Sequence, residues 1–243
     1  MRPVAAGAYG GPGSFGEAVS ATQRALGRER PVIIGRIIKL ERYKIMKRAL
    51  IFVCLFVLTT AVSASAAWDE EKGRSAIEQI GGKLQYGEGK YAKNVVGVDL
   101  SKTSVTDGDL RHMLHFKQLQ NLDLRLTKVG DPGTQYLGFL KNLRTLNMFK
   151  TNLGDAGLER LRNLKNLETF LIGGTKVTDA GLKNLENLSK LRKVSVFNTE
   201  VSDASLKSLE KLNALEVLLI GESRINEESA RKALPKVRFS ENT

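Results

Sequence analysis

Residues 167–182 read LETFLIGGTKVTDAGL, and this stretch decides the fold. Its pattern returns six times at a fixed interval of 24 residues, without insertion or deletion. One column of the repeat is hydroxylic: Thr103, Thr127, Thr151, Thr175, Thr199 and Ser223. Another, four residues later, is acidic: Asp107, Asp131, Asp155, Asp179, Asp203 and Glu227. A fixed period of this length is typical of a solenoid, in which each unit buries its apolar face against its neighbours.

Each unit reads as a short strand followed by a helix. Phe170 and Ile172 flank Leu171, an alternation that predicts a strand with Phe170 and Ile172 turned inward. Thr178 or Asp179 is placed to cap the helix start, and we interpret the acidic column as helix capping rather than as a cation-binding ladder. The helix then offers one apolar stripe to the core: Leu182, Leu185 and Leu188. Equivalent strands are expected to stack in parallel in one sheet.

The pattern L-x-x-L-x-L-x-x-N-x-L is matched by Leu119-x-x-Leu122-x-Leu124-x-x-Thr127-x-Val129, with Thr in place of Asn. In this the repeats resemble the leucine-rich repeat family, and the T-D-x-G-L segment is similar to its bacterial and F-box-associated variants. The resemblance implies an α/β solenoid of curved, right-handed βα repeats, with a parallel sheet on the concave face and helices on the convex face. It also implies that the threonine hydroxyls bond the backbone of neighbouring turns as a ladder.

The ends of the repeat region are expected to be caps. We divide the chain into six repeats over 94–240 and an N-terminal cap over 68–93, with Ile77 and Ile80 on a short amphipathic helix that covers the edge of the first strand. In the sixth repeat Ala230 and Ala233 replace Leu, and Pro235 interrupts the helix. A more polar last repeat acts as a C-terminal cap that keeps a solenoid soluble.

A secretory signal is predicted at 46–67. Lys47 and Arg48 precede fourteen mostly apolar residues, and a small-residue cleavage site of A-x-A type follows. Residues 1–45 are then a disordered leader or an extension of the gene model. The mature chain is expected to be exported to the periplasm, the cell surface or the extracellular space. The alternative is an uncleaved signal anchor that tethers the domain to a membrane.

The basic composition is no argument for nucleic acid. The formal net charge is +12. Residues 1–67 hold ten basic and three acidic residues, whereas residues 68–243 hold 28 and 23, with the two signs interspersed. Most of the basic excess therefore lies outside the repeats, and we expect no nucleic-acid partner.

The sequence contains no recognisable catalytic motif, and we predict a protein that is not an enzyme and needs no cofactor. His112 and His115 are spaced i, i+3, but no Glu stands between them as in H-E-x-x-H and the only cysteine is Cys54. We interpret both histidines as surface residues flanking a buried Met113, and we predict no metal site.

Specificity is expected on the outward face of the strands, where the repeat is irregular. Phe149 and Phe197 stand two strand spacings apart, about 10 Å, with Gly173 as a notch between them. Exposed aromatic residues with flanking cations are typical of a binding hot spot. The predicted partner-binding residues are Arg125, Leu126, Phe149, Lys150, Leu171, Lys193, Phe197 and Leu219.

The sequence therefore predicts an exported, monomeric interaction module that binds a protein or glycan partner on its concave sheet. Two alternatives stay open: an F-box-like adaptor or substrate receptor in ubiquitin ligation, and a structural component of the cell envelope. An export signal argues against the adaptor, because ubiquitin ligation is cytosolic.

Overall fold

The structure is a computed structural model that describes residues 69–240. They belong to one compact unit, Ala66–Thr243. The predictions made for 1–45 and for 46–67 lie outside the described residues. Within residues 69–240, no helix combines the length and the apolar character that crossing a membrane requires.

A single eight-stranded sheet runs through the unit, with its strands in chain order. The strands are β1 (Lys83–Tyr86), β2 (Val95–Asp99), β3 (Asn121–Asp123), β4 (Thr145–Asn147), β5 (Thr169–Leu171), β6 (Lys193–Ser195), β7 (Val217–Leu219) and β8 (Arg238–Ser240). From β2 to β7 each strand pairs in parallel with the next, and every residue meets its equivalent one repeat later, as Leu122 meets Leu146 and Leu146 meets Phe170. The predicted register is confirmed.

Short helices connect the strands. The α-helices are α1 (69–79), α2 (Thr134–Leu137), α3 (Asp155–Leu161), α4 (Asp179–Leu182), α5 (Leu206–Leu209) and α6 (Glu227–Ala233). Stretches of 3-10 helix accompany them at Gly89–Tyr91, Gly108–His115, Asp131–Gly133, Lys183–Leu185 and Asp203–Ser205. The first repeat has only the 3-10 form, Gly108–His115. Residues 69–240 thus have the fold of a leucine-rich repeat solenoid, with one strand and one short helical segment per repeat.

The core lies between the sheet and the helical segments. Phe170 and Ile172 are fully buried, as are Leu182, Leu185 and Leu188 from the helical side. Burying a leucine or phenylalanine side chain contributes about 1.5–3 kcal/mol. Because every repeat supplies the same inward positions, the core is one continuous cluster from Ile77 to Leu234.

The threonine column bonds within its own turn, and the expected ladder between neighbouring turns is wrong. Thr175 Oγ1 donates to the carbonyl of Ile172 at 2.6 Å, and its equivalents donate in the same way to the residue three places earlier. The short, branched side chain reaches the i−3 carbonyl but no further. It therefore closes the turn after the strand without linking repeats.

The aspartate column carries the link between repeats, a role that the capping interpretation missed. Asp155 accepts hydrogen bonds from the backbone amide of Thr178 at 2.9 Å and from its hydroxyl at 2.7 Å. Thr178, not Asp179, caps α4 by accepting from the amide of Ala180 at 3.2 Å. From Asp131 to Asp203 each aspartate thus sits in the first turn of its own helical segment but holds the capping residue of the next, whereas Asp107 stands at the N-cap of its own segment. The carboxylates of Asp107, Asp131, Asp179 and Asp203 accept the same bond from the backbone amide of the capping residue one repeat later.

The glycine of the T-D-x-G-L segment makes room for this link. A Cβ on Gly181 would lie 2.2 Å from Asp155 Oδ1, and one on Gly157 would lie 2.5 Å from Asp131 Oδ1. The carboxylate of the preceding repeat occupies the space of a side chain. Glycine is therefore needed there for close approach rather than for backbone freedom.

Both ends are closed by extra strands that the sequence pattern did not reveal. At the N-terminus Ile77 of α1 is buried and Ile80 lies in the turn that follows the helix; β1 then pairs antiparallel with β2 and covers its edge. At the C-terminus α6 ends at Ala233 before Pro235, and β8 pairs in parallel with β7. Leu218 of β7 meets Phe239, whereas a full repeat would bring it to position 242, so β8 falls outside the repeat pattern.

Candidate functional site

The outward strand column changes its chemistry halfway along the solenoid. In the first three repeats it is Asp99, Asp123 and Asn147, and each side chain accepts a hydrogen bond from the backbone amide two residues later, at 2.8, 3.0 and 3.1 Å. In the last three repeats the column is Leu171, Ser195 and Leu219. The first half of the face is therefore polar and locked by its own side chains.

In the second half of the face this local bond is lost. Leucine has no acceptor, and Ser195 Oγ bonds to no described residue. Within residues 69–240 no acceptor takes the amides of Gly173, Phe197 or Gly221. Three stacked turns therefore have unused donors next to an apolar strip.

A pocket of about 410 Å³ opens where these two halves meet. Its size falls in the range of natural ligand sites. It is lined by Lys102, Arg125, Leu126, Asn147, Phe149, Leu171, Lys193, Ser195 and Leu219. Six of the eight residues proposed from the sequence lie around it, and Lys150 and Phe197 do not line it.

The two phenylalanines are closer than their strand positions suggested. Their ring centroids are 6.3 Å apart with the planes tilted by 44°, which is less than the two strand spacings expected. The Phe149 ring lies over Gly173, where a Cβ would be 3.1 Å from its Cδ2 atom. The predicted notch is therefore covered by the Phe149 ring, which a side chain at position 173 would displace. Lys150 Nζ stands 5.2 Å from the Phe149 ring centroid, within cation–π range.

Leu126 and Lys150 belong to a turn column with left-handed backbone. The φ angles of its non-glycine members are between 48° and 59°, at Lys102, Leu126, Lys150, Asn198 and Glu222. The sixth member is Gly174, at 67°. Side chains at these positions point away from the turn, so Leu126 stands exposed at the rim of the pocket. This conformation is set by the turn and recurs in repeats that have no pocket.

Ser195 was not singled out in the sequence, yet it lies in the middle of the pocket wall. It pairs in register with Leu171 on one side and Leu219 on the other. Ser195 and Leu219 are buried rather than outward and exposed, with 3% and 5% of their surfaces accessible. A lone hydroxyl between two leucines of one column was the signal that the sequence offered.

The pocket is positively charged. Its lining includes Lys102, Arg125 and Lys193 and no carboxylate. Arg125 Nε lies 3.4 Å from Asp123 Oδ2. Neither Lys102 nor Lys193 forms an ion pair with a described residue. Two cations are therefore available to an anionic ligand.

Asp99, an acidic residue three positions before Lys102, is held by internal partners. Burial alone would raise its pKa, but hydrogen bonds from Ser101 and the charges of Arg125 and Lys83 outweigh burial and lower the pKa below its usual value. Asp99 therefore stays ionised and bonded to the turn.

The histidine pair is half-buried rather than on the surface as expected. The rings of His112 and His115 stack with centroids 6.1 Å apart. Helix α1 packs over them, since a Cβ on Gly73 would lie 2.9 Å from His115 Cβ. Burial, and then the charges of Arg111 and His115, lower the pKa of His112 despite the opposing charge of Asp109. Among the described residues, no group of three or more potential ligands is arranged to hold a metal ion.

No protein-family model matches the chain, and no curated relative matches it. Among solved structures, an internalin (inlF) from Listeria monocytogenes is similar, with 18% identity over 59% of this chain and 46% of that chain and a TM-score of 0.46. The LRR ectodomain of the plant membrane receptor kinase GASSHO1/SCHENGEN3 from Arabidopsis thaliana, in complex with CASPARIAN STRIP INTEGRITY FACTOR 2, is similar with 18% identity over 59% of this chain and 20% of that chain, at a TM-score of 0.45. The chain spans less than half the length of each of them.

Proposed function

We propose that this protein is an exported, non-catalytic interaction module that binds a partner protein on the concave face of its sheet. The observation that carries the proposal is the pocket of about 410 Å³. The inward columns repeat faithfully and are accounted for by folding. The outward columns depart from the repeat, and six of the departing residues surround one concavity.

The chemistry of the pocket supports a protein partner. Leu126, Phe149, Leu171 and Leu219 supply an apolar surface, and cations stand at its rim. An apolar centre with a charged rim is the arrangement found in protein interfaces. The sheet beneath is continuous, since neighbouring strands pair in full register, and a preformed surface of this kind favours binding.

Export is proposed from residues 46–67. The compact unit that contains the described residues begins at Ala66. Cleavage near Ala66 or Ala67 would therefore leave that unit essentially whole. N-terminal sequencing of the protein recovered from an exported fraction tests this. A mature N-terminus near Ala67 supports the proposal, whereas intact protein confined to the cytosol contradicts it and favours an adaptor.

The binding proposal is tested by affinity capture with matched baits. The pocket variant carries Leu126→Asn and Lys193→Glu. The control carries Leu114→Asn and Lys207→Glu on the helical side. Leu126 and Leu114 are 43% and 42% exposed, so the two leucine changes remove similar surface. Asparagine already occupies the left-handed position at Asn198, so the backbone tolerates it at Leu126.

We expect wild type and control to recover a common partner that the pocket variant loses. Recovery of the same proteins by all three baits would contradict a concave binding site and leave the structural role as the better account. Circular dichroism of the three baits checks that each is folded.

A further inference from the structure

We infer that the pocket recognises an extended acidic segment of its partner, in which two carboxylates flank one apolar side chain. This rests on the proposed function and names the chemistry of the partner. It is carried by the position of the three pocket cations relative to the apolar floor, and by the unused hydrogen-bond donors beside that floor.

The cations stand at opposite corners of the pocket. Arg125 follows β3 and Lys193 begins β6, three strands further along the sheet. Three strand spacings give a lateral separation of roughly 14 Å, and because Arg125 follows the end of its strand whereas Lys193 begins its strand, the two cations stand further apart along a diagonal. Lys102 stands one repeat before Arg125, on the same side. A single carboxylate reaches only one of these corners, so two are needed to use both.

The floor between the corners is apolar. Leu171 and Leu219 flank Ser195 in register, and Leu126 and Phe149 complete the wall. An extended chain rises about 3.3 Å per residue and turns every second side chain to the same face. The lateral separation of roughly 14 Å corresponds to about four residues, which is the minimum spacing between the two carboxylates. Carboxylates at positions i and i+4 with an apolar side chain at i+2 all face the sheet.

The donors fit the backbone of such a segment. Ser195 Oγ is buried and bonds to no described residue. The amides of Phe197 and its equivalents in the neighbouring turns are also unused within the described chain. A buried hydroxyl without a partner is costly, and a ligand carbonyl relieves that cost once the hydroxyl rotates about its Cα–Cβ bond.

The charges around the pocket determine which ligand charge it favours. The nine residues around the pocket include three cations and no carboxylate. Asp123 is already bonded to the amide of Arg125 and to its guanidinium, and Asp99 to the amide of Ser101. A basic segment would therefore meet like charge without compensation, and an uncharged one would leave both corners unused.

The test measures binding of labelled heptapeptides to the full chain by fluorescence anisotropy. The acidic probe is acetyl-Ser-Asp-Ser-Leu-Ser-Asp-Ser-amide. Two matched probes replace both Asp by Asn or by Lys, and a fourth, acetyl-Ser-Asp-Ser-Leu, keeps a free C-terminal carboxylate. We expect the acidic probe to bind roughly threefold to tenfold more tightly than the Asn probe, with the Lys probe weakest and with affinity falling as salt is raised.

Protein variants place the binding in the pocket. Lys193→Glu is expected to weaken the acidic probe at least about fivefold, because it replaces attraction by repulsion at one corner. Lys207→Glu makes the same charge change on α5, outside the pocket, and is expected to leave affinity unchanged. Equal binding of the Asp, Asn and Lys probes would overturn the inference, as would binding of the free-carboxylate probe alone or of none. None of those results contradicts the proposed function itself. That function is tested separately by the capture experiment, in which the pocket variant is expected to lose a partner.

Discussion

Replacing Ser195 by alanine should not destabilise the protein, although the side chain is buried. Its hydroxyl bonds to no described residue. The folded state therefore loses the hydrogen bonds of this hydroxyl to water, and no hydrogen bond within the described chain compensates for the loss. Alanine keeps the Cβ atom and removes that group. Ser205 is a matched control, because it is equally buried but donates to the carbonyl of Ser202 at 2.8 Å.

The magnitudes follow from the two environments. Leaving a buried hydroxyl unpaired costs about 1–3 kcal/mol, whereas losing a made hydrogen bond costs about 0.5–1.5 kcal/mol. Because Ser195→Ala also loses contacts of the oxygen, we expect the free energy of unfolding to stay level or rise by up to about 1 kcal/mol. Ser205→Ala should lower it by about 1 kcal/mol. The variants should thus differ by roughly 2–8 °C in melting temperature, since 1 kcal/mol corresponds to about 2–4 °C at this chain length.

Thermal and urea denaturation of wild type and both variants, followed by far-UV circular dichroism, measure the difference. If wild type and both variants had the same denaturation midpoint, the missing hydrogen bond of Ser195 would not determine how its substitution affects stability. A loss of more than about 1 kcal/mol in Ser195→Ala would mean that its hydroxyl is paired in solution, and the argument from unused donors in the pocket would fail with it.

Three further predictions concern the repeat frame. Gly181→Ala should lower the free energy of unfolding by more than about 2 kcal/mol, because its Cβ would meet Asp155 Oδ1. Gly108→Ala should change it little, because its Cβ would meet only Thr106 Oγ1, at an ordinary contact distance of 3.8 Å; equal midpoints in urea would refute this. Glu222→Gly should raise the melting temperature by about 1–3 °C, since the left-handed backbone there costs a non-glycine residue about 1 kcal/mol; a decrease would refute it. The free energy of unfolding should fall as pH drops from 7.5 to 5, because the lowered pKa of His112 in the folded protein means that the unfolded chain binds a proton more readily. His112→Gln should reduce this pH dependence. An unchanged pH profile in that variant would refute the prediction.

Much of the fold could be predicted because the same residue pattern occurs in six successive repeats of the sequence. The inward Leu and Phe columns fix the strand register, since a one-residue slip would turn every buried side chain outward. The end strands escaped prediction because they lie outside the repeat. β1 belongs to the cap, and β8 follows β7 at a shorter interval than the repeat.

The sequence was sufficient to locate the candidate site, but not to predict the orientation and burial of its side chains. Leu171, Lys193 and Leu219 were found because they break their columns. The leaning rings of Phe149 and Phe197 were not foreseen, because side-chain rotation over Gly173 is not set by strand spacing. The burial of Ser195 depends on neighbours contributed by three different repeats.

The bonds from each aspartate to the next repeat give the solenoid a direction. Asp131 holds the amide of Gly154, and Asp155 holds that of Thr178, so every repeat supplies the acceptor and its successor supplies the donor. During synthesis the aspartate acceptor of each repeat emerges from the ribosome before the capping residue of the next repeat, which donates to it. Assembly can then proceed as a zipper from the N-terminal end, with each closed turn serving as the template for the one behind it. Removing a repeat from the C-terminal end leaves only a solvated carboxylate, whereas removing one from the N-terminal end orphans a helix cap.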